Sequence, residues 1–171
     1  MQILKSKRSM LILVTLASII AIGVTTALAQ EMVKVNFKKF VVITKYKSIE
    51  VGDTEGHFLN QYEAKDISSD GRFITYKKAQ SEYIKGTGPH SGYNEVIDRE
   101  GGTFFSKFSG MTTTKKSPEG KPIKTVKGSY TYTKGTGKYE GIQGGGTYKG
   151  MVIGKGIISI DVDGQYHIKK K

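Results

Sequence analysis

The chain contains no cysteine and no tryptophan, and only three of its 171 residues are proline. The absence of cysteine excludes disulfide bonds, thiolate nucleophiles, cysteine-based zinc sites and c-type haem attachment. Helical signals are scarce after residue 30, and no second long apolar run follows the one at the N-terminus. A chain of this kind has to be stabilised by an ordinary hydrophobic core.

The one long apolar run has the pattern of a secretory signal. Basic residues precede an uncharged stretch over residues 10–27, and Ala27 and Ala29 stand where a signal peptidase reads small side chains. We predict a signal peptide over residues 1–29 and one exported domain, periplasmic or secreted, over residues 30–171. The apolar stretch is longer than usual, so an uncleaved membrane anchor is the alternative. After cleavage no transmembrane segment is expected.

The composition is strongly basic, because 27 lysines and arginines face 15 acidic residues and give a formal net charge of +12. Such a charge attracts anionic partners without regard to their sequence. For an exported protein these would be anionic polymers or lipids of the envelope, and export argues against nucleic acid. We favour the simpler interpretation, in which the lysines form the solvated outer faces of strands.

The remaining sequence is typical of strands and tight turns. Val33, Val35 and Phe37 alternate with polar residues, and similar short runs recur between glycines. About eight such runs without crossover helices predict an all-β, antiparallel fold, either a barrel or a sandwich. We favour an eight-stranded barrel, since a closed barrel has no exposed edge strands.

Several turns and irregularities can be placed from local sequence. Residues 100–102, Asp70-Gly71 and Asp163-Gly164 each predict a hairpin turn, because glycine and its polar neighbours tolerate positive φ. Residues 117–122 predict a long exposed loop. The apolar run at residues 40–43 interrupts the alternation and predicts either a bulge or a strand buried on both faces.

The glycine-rich stretch over residues 132–150 could form a phosphate-binding loop or a barrel corner. A phosphate loop requires Gly-Lys followed by serine or threonine, but Gly137-Lys138 is followed by Tyr139. No long helix can follow either, because three consecutive glycines intervene at residues 144–146. The stretch therefore predicts a barrel corner with Tyr139 packed onto the barrel end, and no nucleotide cofactor.

The corner carries a resemblance to known families. Residues 135–144, GTGKYEGIQG, resemble the Gly-[Ser/Thr]-Gly-x-[Phe/Tyr]-x-Gly-x-x-Gly segment of allene oxide cyclases. They are similar, more loosely, to the Gly-Gly-Thr-Gly-x-Phe segment of dirigent proteins. Many secreted bacterial proteins of unknown role look like this too. The resemblance implies an eight-stranded antiparallel barrel of the calycin-like kind. No catalytic motif of the cyclases can be matched here, so it implies no catalytic residue.

An eight-stranded barrel can fill its interior with side chains or hold one small ligand. The chain has ten tyrosines, whose rings and hydroxyls suit a small apolar or aromatic molecule with a few polar groups. The alternative is that they only pack the core and the barrel ends. The candidates on predicted strands are Tyr62, Tyr76, Tyr83, Tyr130, Tyr132 and Tyr148.

His90 is the histidine that we consider for an acid–base or ligand-binding role. We place it in a loop over residues 88–92, where it could act with Glu95 or Asp98 as an acid–base pair at the barrel mouth. The alternative is an ordinary solvated loop histidine. His90 therefore joins the tyrosines as a candidate for ligand binding, and no catalytic residue is assigned.

Asp53, Glu55 and His57 alternate in sequence and would share one face of a strand, as metal ligands can. Gly52 and Gly56 favour a turn instead, so we predict no metal site.

Three functions stay open at this point. The first is non-catalytic binding of a small apolar or aromatic ligand inside the barrel. The second is a cyclase or isomerase that positions a reactive substrate, which would place a polar group with a perturbed pKa inside the cavity. The third is electrostatic binding of anionic envelope polymers by the lysines. The first is the leading hypothesis, which favours a protein without enzymatic activity.

Overall fold

The computed structural model describes residues 31–169. The predicted signal peptide lies outside these residues and stays a prediction. The described part forms eight strands, separated by turns and one short 3-10 helix at Gly137–Tyr139. The strands are β1 (Val33–Glu50), β2 (His57–Ser68), β3 (Phe73–Ile84), β4 (Gly88–Asp98), β5 (Thr103–Lys116), β6 (Pro122–Gly135), β7 (Ile142–Gly154) and β8 (Ile157–Ile168). None of the helical structure within residues 31–169 is long and apolar enough to cross a membrane.

Each strand pairs in antiparallel fashion with its neighbours in sequence, and β1 pairs with β8 to close a barrel. The predicted eight-stranded antiparallel barrel is thereby confirmed. The antiparallel order places the turns at residues 51–56, 85–87, 117–121 and 155–156 at one end, which we call the mouth. The turns at residues 69–72, 99–102 and 136–141 lie at the other end, which we call the closed end.

The alternation of β1 continues through residues 40–43. Val41 is buried inside the barrel, whereas Phe40 and Val42 lie on the outside and are 47% and 45% exposed. The prediction of a strand buried on both faces is therefore wrong for this run. The register of β1 against β2 shifts between Ile43 and Lys45, so a bulge follows directly after it.

Most of the predicted turns are confirmed. Asp70-Gly71 lies between β2 and β3, and residues 100–102 lie between β4 and β5. The loop predicted at residues 117–122 is shorter, since Pro122 already begins β6. The glycine-rich stretch forms a corner at the closed end, where Tyr139 is only 2% exposed.

The turn predicted at Asp163-Gly164 is wrong, because both residues lie within β8. Gly164 instead allows two strands and a tyrosine to approach closely. A Cβ at this position would lie 2.9 Å from the Cα of Gly146 and would overlap the hydroxyl of Tyr130. The real hairpin between β7 and β8 turns at residues 155–156. Local sequence could not distinguish a turn glycine from a packing glycine.

Candidate functional site

The barrel interior contains a cavity with a volume of about 270 Å³. Tyr46 lines this cavity and is 59% exposed, which identifies the mouth as the end that is open to solvent. At the opposite end Tyr139 packs against Phe104, with ring centroids 4.8 Å apart, and closes the barrel. The cavity therefore opens to solvent at the mouth, and its volume lies just below the ~300–1,000 Å³ range of ligand pockets.

Five of the six candidate tyrosines line the cavity: Tyr62, Tyr83, Tyr130, Tyr132 and Tyr148. Tyr76 does not, because it follows Thr75 and precedes Lys77, which both point inward on β3. Its side chain lies on the outer surface, where the residue is 42% exposed. The placement of Tyr76 in a ligand site is therefore corrected.

The aromatic rings form a connected wall in the lower half of the cavity, towards the closed end. Tyr132 lies at its centre, with ring centroids 5.4 Å from Tyr130, 5.4 Å from Phe104 and 6.0 Å from Tyr166. These pairs have the edge-to-face geometry that aromatic rings favour. The wall offers an inserted ring several aromatic faces and edges.

His90 is not in a loop but within β4, with its side chain inside the barrel. Its Nδ1 lies 3.0 Å from Oγ1 of Thr112, and its Nε2 lies 2.7 Å from the hydroxyl of Tyr148. The hydroxyl of Tyr83 lies 2.9 Å from the same Thr112 oxygen. These four side chains form a hydrogen-bonded chain along the cavity wall, which we call the His90 chain.

The predicted partners of His90 are wrong. Glu95 lies on the outer side of β4, since only alternate residues of this strand point inward. Asp98 points inward but lies at the closed end, where other groups bind it.

The contact between Tyr148 and His90 depends on two glycines. Tyr148 pairs with Gly128, Gly128 with Gly110, and Gly110 with His90, so the four residues form one row across β7, β6, β5 and β4. A Cβ at Gly110 would lie 2.6 Å from the hydroxyl of Tyr148, and one at Gly128 would lie 2.6 Å from its Cζ. The tyrosine side chain therefore lies across two strands because neither glycine has a side chain.

Three lysines line the barrel interior, Lys39, Lys77 and Lys124, although lysines were expected on the outer faces of strands. Nζ of Lys39 lies 3.1 Å from Oδ2 of Asp66, and both side chains are at least nine-tenths buried. Nζ of Lys77 lies 5.1 Å from the ring centroid of Phe108. Burial, followed by the neighbouring charge of Lys39, lowers the pKa of Lys77 to about 7, although Asp66 acts in the opposite direction. The amine is therefore close to half neutral at neutral pH.

One sequence signal could have found Lys77. Phe73, Thr75 and Lys77 occupy alternate positions and must share a face of β3. The aromatic residue at the start of this row indicates the inner face. The expectation that the lysines lie on outward faces concealed this pattern.

Burial lowers the pKa of His90 to about 4, and the charge of Lys77 acts in the same direction. His57 differs, since a hydrogen bond to Asp53 raises its pKa, desolvation opposes this and a second bond to Glu82 adds to it. We expect His90 to stay neutral down to about pH 5. The pKa of His57 should lie above the ordinary histidine value of about 6.5. Imidazole resonances followed by NMR over pH 4–8 would test this, with His57→Gln and His90→Gln variants for assignment. Titration of both histidines near pH 6.5 would contradict it.

Asp53 and His57 meet at the turn between β1 and β2, and the other nitrogen of His57 contacts Glu82. Glu55 instead pairs with Lys85, with 3.0 Å between Oε2 and Nζ. Among residues 31–169 no group of three or more histidine, aspartate or glutamate side chains is arranged to hold a metal ion.

Asp98 holds the closed end together and was not predicted in this role. Its side chain is fully buried and binds Arg72 and Lys138, with nitrogen–oxygen distances of 2.9 Å and 2.8 Å. The hydroxyl of Tyr139 donates a further hydrogen bond of 2.6 Å. Burial alone would raise the pKa of Asp98, but these partners outweigh it and hold the pKa well below its usual range.

Solved structures share the fold of this chain at low sequence identity. No protein family and no curated protein matches it. A protein of unknown function from the DUF3224 family of Shewanella oneidensis superimposes with a TM-score of 0.51 and 17% identity, over 82% of this chain and 100% of the other. The two share the eight-stranded antiparallel barrel.

Two further solved structures are similar at lower scores. A pterocarpan synthase dirigent protein covers 84% of this chain and is itself covered completely, with a TM-score of 0.49 and 10% identity. The alignment with an exo-specific intermolecular Diels–Alderase covers 80% of this chain and 98% of the Diels–Alderase chain, with a TM-score of 0.47 and 12% identity. The barrel implied by the sequence resemblance is present in the strand pairing of this chain itself.

Proposed function

We propose that the barrel binds a small aromatic molecule that carries an oxygen group. The observation that supports this most is the cavity of about 270 Å³, which has an aromatic wall and the His90 chain facing the same space. Ligand pockets typically combine such an apolar lining with a few fixed polar groups. The oxygen group of the ligand would bond to the His90 chain, while its ring packs against Tyr130 and Tyr132.

Unpaired polar atoms inside the barrel support a ligand with polar groups. Oδ1 of Asn94 and Oδ1 of Asp66 are both buried and find no hydrogen-bond partner among residues 31–169. Buried acceptors of this kind are usually satisfied by a donor. Asn94 lines the cavity, so a hydroxyl or N–H group of the ligand can supply this donor.

A second candidate is an enzyme that positions a reactive substrate. It is favoured by Lys77 and His90, two cavity residues whose pKa values burial moves far from their ordinary range. Binding comes first in either case, and catalysis would appear as turnover of more than one ligand per protein.

Titration calorimetry with 2-naphthol tests binding, because this probe combines a fused aromatic ring with one hydroxyl. Val152 lines the cavity near the mouth, whereas the next residue, Ile153, is 54% exposed. We expect 2-naphthol to bind with one site per chain, and Val152→Trp to weaken binding at least tenfold, or ~1.4 kcal/mol. The added ring would occupy the entrance.

Ile153→Trp is the matched control, since it adds the same ring on the outside and should leave the affinity unchanged. Equal affinities of the two variants for 2-naphthol would indicate that the probe binds on the outer surface. No binding to the wild-type protein, and none of naphthalene or 2-naphthoate, would overturn the proposed function.

A further inference from the structure

Lys77 is a buried lysine of the cavity whose amine is free of polar partners within residues 31–169. Within residues 31–169 its Nζ has no ion pair or hydrogen bond, and its nearest described partner is the ring of Phe108. Lys39 is also inside, but its ammonium is held by Asp66. Lys124 also lines the cavity without an ion pair or hydrogen bond among residues 31–169, and its Nζ lies 5.3 Å from the ring centroid of Tyr83. It lies near the mouth and is less buried than Lys77.

The ionisable groups around Lys77 come from five strands. The closest opposite charge, Asp66 on β2, is engaged by Lys39 on β1. His90 on β4 is neutral at pH 7, and the hydroxyls stay protonated because burial raises the pKa of each of Tyr62 and Tyr148. Besides tyrosines, the ionisable residues that line the cavity with Lys77 are Lys39, His90 and Lys124. Asp66 acts on Lys77 through its charge without lining the cavity, and its carboxylate is paired with Lys39 and forms no ion pair with Lys77.

We propose that Lys77 captures small aromatic aldehydes or ketones as a reversible imine inside the barrel. This inference rests on the proposed function, since the carbonyl compound has to occupy the same cavity. A primary amine in an apolar pocket is a nucleophile when it is neutral. The ligand class follows from the wall, which takes an aromatic ring, and from the amine, which reacts with a carbonyl carbon.

The reaction is balanced without an oxidant or reductant. The lone pair of the neutral amine adds to the carbonyl carbon, and one N–H proton passes to the carbonyl oxygen to give a carbinolamine. That oxygen then leaves as water with the second N–H proton, and a C=N bond remains. Hydrolysis reverses both steps and releases the ligand. Burial keeps part of the Lys77 amine neutral, and therefore nucleophilic, near pH 7.

The test uses 2-naphthaldehyde with sodium cyanoborohydride, which delivers hydride to the imine and fixes it as a secondary amine. Peptide mass spectrometry then locates the label. At pH 7 we expect Lys77 to be labelled at least tenfold faster than any exposed lysine, because burial lowers its pKa to about 7 and so leaves a large fraction of its amine neutral. Labelling at Lys77 should rise up to about pH 7 and then level off.

Matched variants and a competitor separate the two proposals. Lys77→Met should abolish the fast label, whereas Lys78→Met, which changes the exposed neighbour, should leave it intact. Excess 2-naphthol should slow labelling of Lys77 and of no lysine outside the cavity. If 2-naphthol binds but the labelling rates of the lysines only reflect their solvent exposure, the proposal of an imine at Lys77 is overturned and the proposed function stands. If Lys77 is labelled without competition by 2-naphthol, capture inside the ligand cavity is overturned.

Discussion

Replacement of Asp98 by asparagine is expected to lower the free energy of unfolding by about 3 kcal/mol, the lower end of the range for breaking a buried ion pair. The carboxylate accepts bonds from Arg72, Lys138 and Tyr139, and its side chain is fully buried. The asparagine cannot balance the two positive charges. The loss stays at the lower end because the side chains of Arg72 and Lys138 are 36% and 38% exposed and can be hydrated. Urea denaturation at pH 7 measures the change.

The pH dependence provides a second measurement on the same variant. The pKa of Asp98 is depressed in the folded state, so its contribution is complete above the unfolded-state value of about 3.9 and is lost as the pH falls further. The stability of the wild-type protein should therefore fall more steeply below about pH 4 than that of Asp98→Asn.

Glu100→Gln is the matched control for the closed end. Oε2 of Glu100 contacts the same two partners, 3.1 Å from Arg72 and 3.5 Å from Lys138, but its side chain is 64% exposed. An exposed pair contributes less than about 1 kcal/mol. Equal and small losses for the two variants would show that Asp98 does not hold the closed end together.

Gly128→Ala is expected to cost about 3 kcal/mol, at the upper end of what overpacking usually costs. The new methyl group would overlap both the ring of Tyr148 and the backbone of Ser109 on the adjacent strand. Because the backbone cannot yield easily, the tyrosine and the strand pair must both shift. The shift should separate Tyr148 from His90, so the affinity for 2-naphthol should fall together with the melting temperature.

Gly154→Ala serves as the control for Gly128→Ala. The nearest atom to a Cβ at Gly154 is Cδ1 of Ile157 at 3.7 Å, an ordinary contact distance. Gly154→Ala should change the free energy of unfolding by no more than about 0.5 kcal/mol. If Gly128→Ala is equally mild and retains the affinity for 2-naphthol, the row of glycines does not fix the position of Tyr148.

Local sequence was sufficient for the strands and for most turns. The period of two in residues 33–37 and the glycines at residues 71 and 101 act within a few positions of the chain. The glycine-rich corner was predictable for the same reason, and Tyr139 was correctly placed at the barrel end. The five cavity tyrosines were found because aromatic residues in strands usually face the core.

The tertiary structure alone decided which polar groups meet inside the barrel. Alternation shows which residues share a face, but closure and register decide which face is inside. For this reason Lys39 was missed and Tyr76 was assigned to the wrong side, whereas Lys77 was missed because its alternation with Phe73 was overlooked. His90 meets Tyr148 across 58 positions of sequence and three strand pairings, which no local pattern encodes. The sequence thus determined the barrel, and the pairing of its strands determined the chemistry of the cavity.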